Sequence, residues 1–301
     1  MCNTDEETSL RAQTRALARM ARDEDLGPGD ITSQLIAENT LAEFRLVAQE
    51  SGVFAGRVIA ADVLGVYEDS LELDWLDSTR DGARIQDPPA DLARIRSPLR
   101  TVLAAERTLL NFLQRLCGVA TLTRAYVDAI AGTGAEIYDT RKTTPGWRIL
   151  EKYAVRCGGG KNHRMGLYDA ILLKDNHLAD VGPCQLAGVV FDMLNNVSSL
   201  GTKPSFVEVE VDTLEQLGEL LKVVGIDVIL LDNFTVDQLR SAVSLRDGLN
   251  LRDKVALEAS GGVNLETVRA IAETGVERVS VGAITHSAPA LDLSLERVQA
   301  L

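Results

Sequence analysis

The feature that most constrains the fold is a regular alternation of short apolar strands and helices in the second half of the chain. Six such strands are predicted, at residues 135–140, 169–174, 206–211, 227–232, 255–260 and 278–283. The last four begin 21, 28 and 23 residues apart, and the helices predicted between them are Thr213–Val223, Thr235–Ser244 and Asn264–Thr274. Successive strand–helix units need this spacing, so the sequence predicts a parallel sheet.

Polar or small residues stand at the carboxyl end of nearly every one of these strands. In chain order they are Arg141 and Lys142, Lys174, Glu210, Asp232, Ser260–Gly262 and Gly282–Ala283. In an α/β barrel the carboxyl ends of the strands converge on one mouth, whereas an open sheet uses mainly the strands beside its switch point. The pattern therefore favours a barrel-like domain with a functional site at its mouth.

The first third of the chain reads as a separate α+β module. Residues 8–25 have helical spacing and stop at a Gly-Pro turn, and the strand-like stretches 44–60 and 70–76 follow. The Pro-rich stretch Asp87–Arg100 then leads into a long helical segment. That segment, residues 99–132, is predicted to form one or two helices with a break near Gly118.

The charge distribution narrows the choice of partners. The net charge of −13 disfavours nucleic acid or an anionic membrane as a partner. Residues 141–174 nevertheless carry eight basic and two acidic side chains, a local charge of +6 that leaves −19 for the remainder. This basic segment indicates a site for a small, multiply charged anion. The alternative for Arg148, Lys152 and Arg156, spaced four apart, is a solvated helix face.

The sequence gives no sign of a secretory signal, a membrane span or a metal-binding cysteine pattern. The N-terminus is polar and acidic, and no apolar run approaches the ~18 residues typical of a membrane span. Cys2, Cys117, Cys157 and Cys184 lack metal-type spacing. We therefore expect reduced thiols in a cytoplasmic protein, with no role for the cysteines in the reaction.

The stretch Gly158–Arg164, GGGKNHR, is the densest cluster of glycine and hydrogen-bond donors. It does not match the phosphate-binding pattern GxxxxGK[ST], which leaves a carboxylate clamp or a solvated turn. Each other candidate also has a structural alternative. Glu210 could be solvated, Lys174 could merely leave the core, and Asp232 could cap the next helix. His163 could be a structural hydrogen-bonding group, the role we expect for His177 and His286.

Seven blocks of sequence together resemble the quinolinate phosphoribosyltransferase family, over nearly the whole chain from about residue 10. Among them, DTRKTTPG at 139–146 and the run from Glu151 to His177 are the most specific. The remaining blocks are residues 24–33, 105–121, 206–217, 229–234 and 258–268. No departure is seen at the motif positions.

The resemblance implies a type II phosphoribosyltransferase-like fold, with an N-terminal α/β sandwich domain and an open α/β barrel. The expected sandwich domain spans 1–117 and is joined by the tail 286–301, and the barrel spans 118–285. The implied reaction joins quinolinate to 5-phosphoribosyl-1-pyrophosphate with Mg²⁺ and gives nicotinate mononucleotide, pyrophosphate and CO₂. A homodimer is also implied, in which Arg107 serves the site of the neighbouring subunit.

The resemblance also assigns residues by motif position. The residues implied to bind quinolinate are Arg107, Arg141, His163, Arg164 and Lys174. The residues implied to bind the phosphoribosyl donor are Thr140, Lys142, Glu210, Asp232, Ser260, Gly261, Gly262, Val281, Gly282 and Ala283. Lys142, Glu210 and Asp232 are the implied catalytic groups, and Glu210 and Asp232 are the candidate Mg²⁺ contacts.

Two other functions stay open on the sequence. One is a related phosphoribosyltransferase that acts on nicotinate or another aromatic acid without decarboxylation. The other is a non-catalytic anion-binding relative, which we would expect to have lost residues such as Arg107, Lys142, Glu210 or Asp232.

Overall fold

The computed structural model describes residues 4–37, 40–68, 71–197, 201 and 203–298. The chain forms two compact units. The first comprises residues 1–124, 143–159 and 284–301, and the second comprises residues 125–142 and 160–283. Each unit is therefore built from stretches that are not continuous in sequence, three in the first unit and two in the second.

The first unit is built on a four-stranded antiparallel sheet with helices. Its helices are α1 (Thr4–Leu26), α2 (Arg57–Leu64), most of α3 (Leu99–Ala129), α4 (Arg148–Cys157) and nearly all of α9 (Ala283–His286). Its strands are β1 (Leu41–Ala48), β2 (Gly52–Val53), β3 (Glu72–Trp75), β4 (Arg84–Ile85), β5 (Ala90–Pro98) and β12 (Leu293–Arg297). The sheet order is β12-β1-β5-β3, so the last strand of the chain pairs with the first.

The predicted break in the long helical segment is wrong, because α3 runs without interruption past Gly118. The glycine is explained by packing. A Cβ atom at this position would lie 2.9 Å from the carbonyl carbon of Pro289 and 3.1 Å from Cα of Ala290. Because the chain crosses the helix so closely there, only a residue without a side chain fits, and the glycine does not end the helix.

The second unit is a parallel α/β structure. Its strands are β6 (Glu136–Tyr138), β7 (Ile171–Leu173), β8 (Val207–Val211), β9 (Val228–Asp232), β10 (Ala256–Ser260) and β11 (Arg278–Ser280). Its helices are α5 (Pro183–Asn195), α6 (Leu214–Leu220), α7 (Val236–Gly248) and α8 (Val268–Ala272). All six predicted strands are confirmed, and each is shorter in the structure than predicted.

The strand order identifies an open barrel. β7 to β11 pair in chain order, and β11 pairs back with β6, the first strand. Closure would require β6 to pair with β7 as well, and the sheet is open between them. An isolated parallel bridge from Tyr138 to Lys161 adds a short extension beside β6. The predicted fold class, an α/β chain with a small first domain and an open parallel barrel, is confirmed.

Helix capping explains where two of the three predicted helices begin. The side chains of Thr213 and Thr235 each accept a hydrogen bond from the backbone N–H three residues on, at Gln216 and Gln238. Each glutamine side chain bonds back to its threonine, which completes a capping box. Because Thr235 caps α7, the interpretation of Asp232 as that helix's cap is excluded.

The division into compact units differs from the predicted domain boundaries, because residues 118–124 and 284–285 group with the first unit, and so does one longer segment. We placed residues 118–285 in the barrel domain, yet residues 143–159, which carry α4, group with the first unit. The helix buries Glu151 and Lys152 completely, so its charged residues are not a uniformly solvated face. The predicted tail extends to residue 301, and residues 299–301 lie outside the described residues.

Candidate active site

A cavity of about 480 Å³ opens at the carboxyl ends of the barrel strands, within the second unit. The register explains why residues so distant in sequence meet there. Asp232 is opposite Ser260, and Glu210 is opposite Leu230, so the ends of neighbouring strands lie at one level. The lining residues are Thr140, Arg141, Lys142, His163, Arg164, Leu172, Lys174, Glu210, Leu230, Asp232, Glu258, Ser260 and Ser280.

Two arginines share this cavity. Arg141 follows β6, and Arg164 ends the glycine-rich segment. Burial lowers the pKa of the Arg164 guanidinium from its usual 12.5, and the positive charge of Arg141 lowers it further. An arginine satisfied by a carboxylate partner would have a raised pKa. The two positive charges in one cavity are suited to an anionic ligand.

The cavity lining also includes the carboxylates of Glu210 and Asp232 and the lysines Lys142 and Lys174. Lys174 Nζ donates to an Oε2 atom of Glu210 over 2.8 Å, so this lysine has a partner at the site and does not simply leave the core. Burial raises the pKa of Asp232 above its usual 3.8, and the carboxylate of Asp212 adds to this, while Lys174 and Lys142 oppose it. The cavity thus holds opposite charges at the ends of neighbouring strands, a pattern suited to a substrate with both anionic and hydroxyl groups.

The loop after β9 is in close contact with the loop after β10. Gly261 has φ +96° and Gly262 has φ +60°, in the left-handed region that favours glycine. A Cβ on Gly261 would lie 2.6 Å from Cγ of Asn233, and the backbone N–H of Asn233 donates to the carbonyl of Ser260 over 2.9 Å. Small residues at this edge leave the backbone accessible to a phosphate group.

The glycine-rich segment is fixed beside β6 by one buried carboxylate. Asp139 accepts from Nδ2 of Asn162 over 2.6 Å and from the backbone N–H of His163 over 2.8 Å. The backbone N–H of Lys161 also donates to the carbonyl of Ile137 over 2.7 Å, and the N–H of Asp139 donates to the carbonyl of Lys161 over 3.1 Å. These contacts direct His163 and Arg164 into the cavity, as the carboxylate-clamp interpretation of the segment expected.

A network of buried polar side chains forms part of the cavity wall and extends behind it. Nε2 of His163 is 2.7 Å from Oε2 of Glu208 and 3.6 Å from Oε1 of Glu258, and Ser280 Oγ donates to Glu258. Burial raises the pKa of Glu208 to about 8 and that of Glu258 to about 7. The guanidinium of Arg278 lies 3.9 Å from Glu258, over the ring of Tyr138. The sequence analysis did not single out Glu208, Glu258 or Arg278.

The raised pKa of Glu258 predicts a pH-dependent stability. A carboxyl with a folded pKa of about 7 keeps its proton where the unfolded chain, with a pKa near 4.5, releases it. The free energy of unfolding should therefore fall as the pH rises from about 5 to about 7, by on the order of 1–3 kcal/mol. In Glu258→Gln this slope should be reduced, and urea titrations at several pH values measure it. Glu215→Gln, an exposed carboxyl in the same unit, should keep the wild-type slope.

Of the other sequence-predicted residues, Thr140 and Val281 lie in the second unit and Arg107 lies in the first. Thr140 lines the cavity, where its hydroxyl accepts from the backbone N–H of Lys142 over 3.0 Å. Val281 follows β11, and its N–H donates to the carbonyl of Tyr138. Arg107 lies on α3 in the first unit, where it lines a different cavity together with Trp147 and two acidic residues.

Basic residues of α4 are not part of the lining of the barrel cavity. Arg148 and Arg156 are half-buried, and Lys152 is fully buried in the first unit. Arg148 donates to the hydroxyl of Thr143 over 3.0 Å, and Arg156 lies 4.0 Å from Glu6. The solvated-face interpretation is thus wrong for Lys152. Only some of the basic residues between 141 and 174 line the cavity.

The structure describes three of the four cysteines, and Cys2 lies outside the described residues. Cys117, Cys157 and Cys184 are free thiols, and burial raises the pKa of Cys117 and Cys157 to about 12. A thiol with so high a pKa is a poor nucleophile. Within the described residues, none of the helices combines the length and apolar character needed to cross a bilayer.

Family models match almost the full length of the chain. The model described as the N-terminal domain of quinolinate phosphoribosyl transferase matches residues 30–117, and the model of its C-terminal domain matches residues 119–296. The chain belongs to the quinolinate phosphoribosyl transferase family. The expected resemblance is confirmed.

Individual members of the quinolinate phosphoribosyl transferase family are similar over most of their length. The nicotinate-nucleotide pyrophosphorylase [carboxylating] of Mycobacterium leprae is 45% identical over 94% of this chain and 96% of its own. A probable enzyme of the same name from Bacillus subtilis is 38% identical over 91% of this chain and 89% of its own. The solved nicotinate-nucleotide pyrophosphorylase of Francisella tularensis is 37% identical, with a TM-score of 0.85 over 96% of this chain and 97% of its own.

A more distant likeness shows how far the fold extends. The solved human nicotinic acid phosphoribosyltransferase superposes with a TM-score of 0.59 at 14% identity, over 88% of this chain and 72% of its own. That level of identity shows a shared fold alone. The three relatives described above match far more closely in sequence.

Proposed function

We propose that this chain transfers the phosphoribosyl group of 5-phosphoribosyl-1-pyrophosphate to quinolinate, releasing pyrophosphate and CO₂ and forming nicotinate mononucleotide, a step of de novo NAD biosynthesis. Membership of the family supports the reaction. The observation that carries it to this chain is the pairing of Arg141 and Arg164 in one cavity, with the pKa of Arg164 lowered by burial and by its neighbour. Quinolinate, a planar dianion, would relieve that repulsion through charge-assisted hydrogen bonds.

The residues divide between the two substrates. Arg141, Arg164 and Lys174 are assigned to the two carboxylates of quinolinate. Lys142, Thr140 and the carboxylates of Glu210 and Asp232 are assigned to the ribose and pyrophosphate of the donor. The 5′-phosphate is assigned to the two glycine-containing loops, Ser260–Gly262 and Val281–Ala283, because backbone N–H groups at small residues can approach a phosphate closely.

The first chemical step needs positioning and charge more than a nucleophilic side chain. The ring nitrogen of quinolinate attacks C1′ of the ribose as the bond to pyrophosphate breaks, and positive charge develops on the sugar. Glu210 and Asp232 are the carboxylates available to stabilise that charge. The arginines hold the ring in line with C1′, so the protein supplies orientation and a prepared electrostatic field.

Decarboxylation then follows from the first step. Bond formation makes the ring nitrogen positive, and the bond between C2 and its carboxyl group breaks to release CO₂. The electron pair stays on C2, where the positive nitrogen stabilises it, until C2 takes a proton that comes ultimately from solvent. A thiolate is not required, in agreement with the high pKa of Cys117 and Cys157.

The donor set at the cavity fits a Mg²⁺ ion carried by the donor's pyrophosphate. Mg²⁺ prefers six oxygen ligands and keeps several waters, so it takes one or two carboxylates and otherwise phosphate oxygens. Glu210 and Asp232 are the carboxylates that would hold it, directly or through water. When bound, Mg²⁺ would neutralise the charge of the leaving pyrophosphate.

The function is tested by incubating the purified protein with quinolinate, phosphoribosyl pyrophosphate and Mg²⁺. We expect nicotinate mononucleotide by chromatography and an equal amount of labelled CO₂ from the 2-carboxyl group. Turnover of nicotinate without release of CO₂ would instead identify the non-decarboxylating alternative. Binding of quinolinate with no turnover would identify a non-catalytic relative. We further propose that the protein works in the cytoplasm, as its cysteine usage indicates.

We also propose a homodimer in which Arg107 completes the site of the partner subunit. Arg107→Ala and Lys174→Ala should each be inactive alone. After subunit exchange, one site of each mixed dimer combines an intact barrel with an intact Arg107, so a one-to-one mixture should recover about a quarter of wild-type activity. Activity is measured once exchange has been verified by mass. Absence of recovery after verified exchange would show that Arg107 does not act across subunits.

A further inference from the structure

Arg164 belongs to a short stretch of backbone that is held by side chains. In order, the N–H of His163 donates to Asp139 over 2.8 Å, and the N–H of Arg164 donates to Nδ1 of His163 over 2.7 Å. The N–H groups of Met165 and Gly166 both donate to the carboxylate of Asp169, over 2.7 and 2.8 Å. The backbone at Arg164 therefore depends on an imidazole ring that can rotate unless something fixes it.

The hydrogen bonds define the tautomer of that ring. Because Nδ1 of His163 accepts from the Arg164 N–H, it carries a lone pair and no proton. The proton of the neutral ring is then on Nε2, which donates to Oε2 of Glu208 over 2.7 Å. The edge of the ring also contacts Phe206, with centroids 5.3 Å apart. Both nitrogens of His163 are thus used within the protein.

A metal ion does not explain this cluster. His163, Glu208 and Glu258 offer three ligand atoms within 4.8 Å of one another. Two ligands that each lie about 2.1 Å from a metal in tetrahedral geometry are separated by roughly 3.4 Å. The 2.7 Å between Nε2 and Glu208 is shorter and is the length of a hydrogen bond.

The buried position of Glu208 also lowers the stability of the fold. Its side chain is fully buried on β8, and its second oxygen, Oε1, has no hydrogen-bond partner among the described residues. A buried carboxylate that is only partly satisfied destabilises a fold relative to an apolar residue of similar size. Such local conflicts are expected at functional positions.

We propose that Glu208 is a positioning residue for the quinolinate site, which acts through His163 on Arg164. Glu208 fixes the orientation and tautomer of the ring, Nδ1 holds the backbone of Arg164, and the guanidinium is thereby kept in the cavity. His163 accordingly serves the substrate through Arg164. The inference rests on the proposed function, since the substrate held by Arg164 is quinolinate.

Substitutions at His163 separate the two roles. The amide oxygen of asparagine can take the place of Nδ1 as acceptor for Arg164, whereas glutamine places its amide where Nε2 was. We expect His163→Asn to keep a KM for quinolinate at least several-fold lower than that of His163→Gln. A better KM in His163→Gln would overturn the positioning role, because it would show that the Nε2 end is what matters.

Substitutions at Glu208 test the link one step further back. Glu208→Leu should raise the KM for quinolinate by roughly tenfold or more, the effect that supporting carboxylates of functional histidines have in metal sites. The KM for phosphoribosyl pyrophosphate should change less than twofold. Glu208→Gln, which can still accept from Nε2, should recover most of the loss. An unchanged quinolinate KM in folded Glu208→Leu would contradict the proposal.

A matched control removes a buried charge elsewhere in the same unit. Arg246 is fully buried on α7, where it pairs with Glu277 and Asp247. Arg246→Met should lower the free energy of unfolding without a selective rise in the quinolinate KM. A rise equal to that of Glu208→Leu would show that the effect is a general loss of stability.

The tautomer is measured directly and independently of turnover. The chain has three histidines, so long-range ¹H–¹⁵N spectra of the rings can be assigned with His163→Asn as reference. We expect the Nε2–H tautomer for His163 in the wild type at neutral pH. An Nδ1–H tautomer or an imidazolium would overturn the proposal even if Glu208→Leu does not fold. A wild type that shows the expected tautomer but no turnover of quinolinate would instead overturn the proposed function.

Discussion

Replacing Arg164 by alanine is expected to raise the KM for quinolinate by about 30-fold or more. Loss of one partner of a desolvated charge pair typically costs about 2–5 kcal/mol, and each 1.4 kcal/mol is a factor of about ten. The loss should be confined to the acceptor side, because Arg164 shares the cavity with Arg141, and both are assigned to quinolinate. Steady-state kinetics with each substrate varied in turn would measure it.

Two companions make this result interpretable. Arg141→Ala should behave like Arg164→Ala, because both side chains are assigned to the same dianion. Arg240→Ala removes an exposed arginine from α7, where it pairs with Asp237, and should leave both KM values near those of the wild type. If Arg141→Ala and Arg164→Ala both retain the wild-type KM for quinolinate, the carboxylate clamp is refuted.

Replacing Gly261 by alanine is expected to damage both stability and donor binding. At φ +96° a non-glycine residue is strained, typically by about 1–3 kcal/mol, and the new Cβ would lie 2.6 Å from Cγ of Asn233 and 2.9 Å from its backbone nitrogen. Relief requires the loops after β9 and β10 to move apart. We therefore expect a lower free energy of unfolding in urea and a raised KM for phosphoribosyl pyrophosphate.

The matched control is a glycine with room for a methyl group. Gly188 lies inside α5 with nothing within 4 Å of the position of an added Cβ. Because alanine is favoured over glycine in a helix by about 1 kcal/mol, Gly188→Ala should be neutral or stabilising and should leave the kinetics unchanged. Equal behaviour of Gly261→Ala and Gly188→Ala would mean that the Gly261 loop is not constrained as the structure shows.

The residues at strand ends could be predicted from the sequence because parallel strands end at a common edge. Lys174, Glu210 and Asp232 each interrupt or follow an apolar run, and the strand pairing brings all three to one cavity. The sequence pattern thus carries the position of the mouth and most of its lining. The role of each group toward a substrate came from the family resemblance, since a lysine or carboxylate at a strand end can bind several ligands.

The buried polar network could not be predicted from the same pattern. Glu208 and Glu258 each lie two residues before a predicted site residue, Glu210 and Ser260, so strand alternation places them on the same face of the sheet. Alternation did not show that both carboxyl groups are buried, or that Nε2 of His163 lies close to both of them. Asp139 was equally hidden, because its role depends on the backbone of His163, which is 24 residues away in the chain.

Long-range packing also explains the errors in organisation. In sequence Gly118 resembles a helix break. Only the contact with a distant segment of the same chain, at Pro289 and Ala290, shows why a side chain is excluded there. The amphipathic sequence of α4 fits either a solvated or a buried helix. Its burial of Glu151 depends on Arg115, which donates to that carboxylate over 2.6 Å. Contacts between residues so far apart leave no local signature.

The central claim, that cations from distant parts of the sequence form one pocket for a doubly charged pyridine, is tested most directly by calorimetric titration of the wild-type protein. We expect quinolinate to bind at one site per chain, and nicotinate, which lacks the 2-carboxylate, to bind at least tenfold more weakly. In Arg141→Ala and Arg164→Ala the preference for quinolinate should largely disappear. Equal affinity of the wild type for the two acids, or a preference that survives both substitutions, would contradict the account.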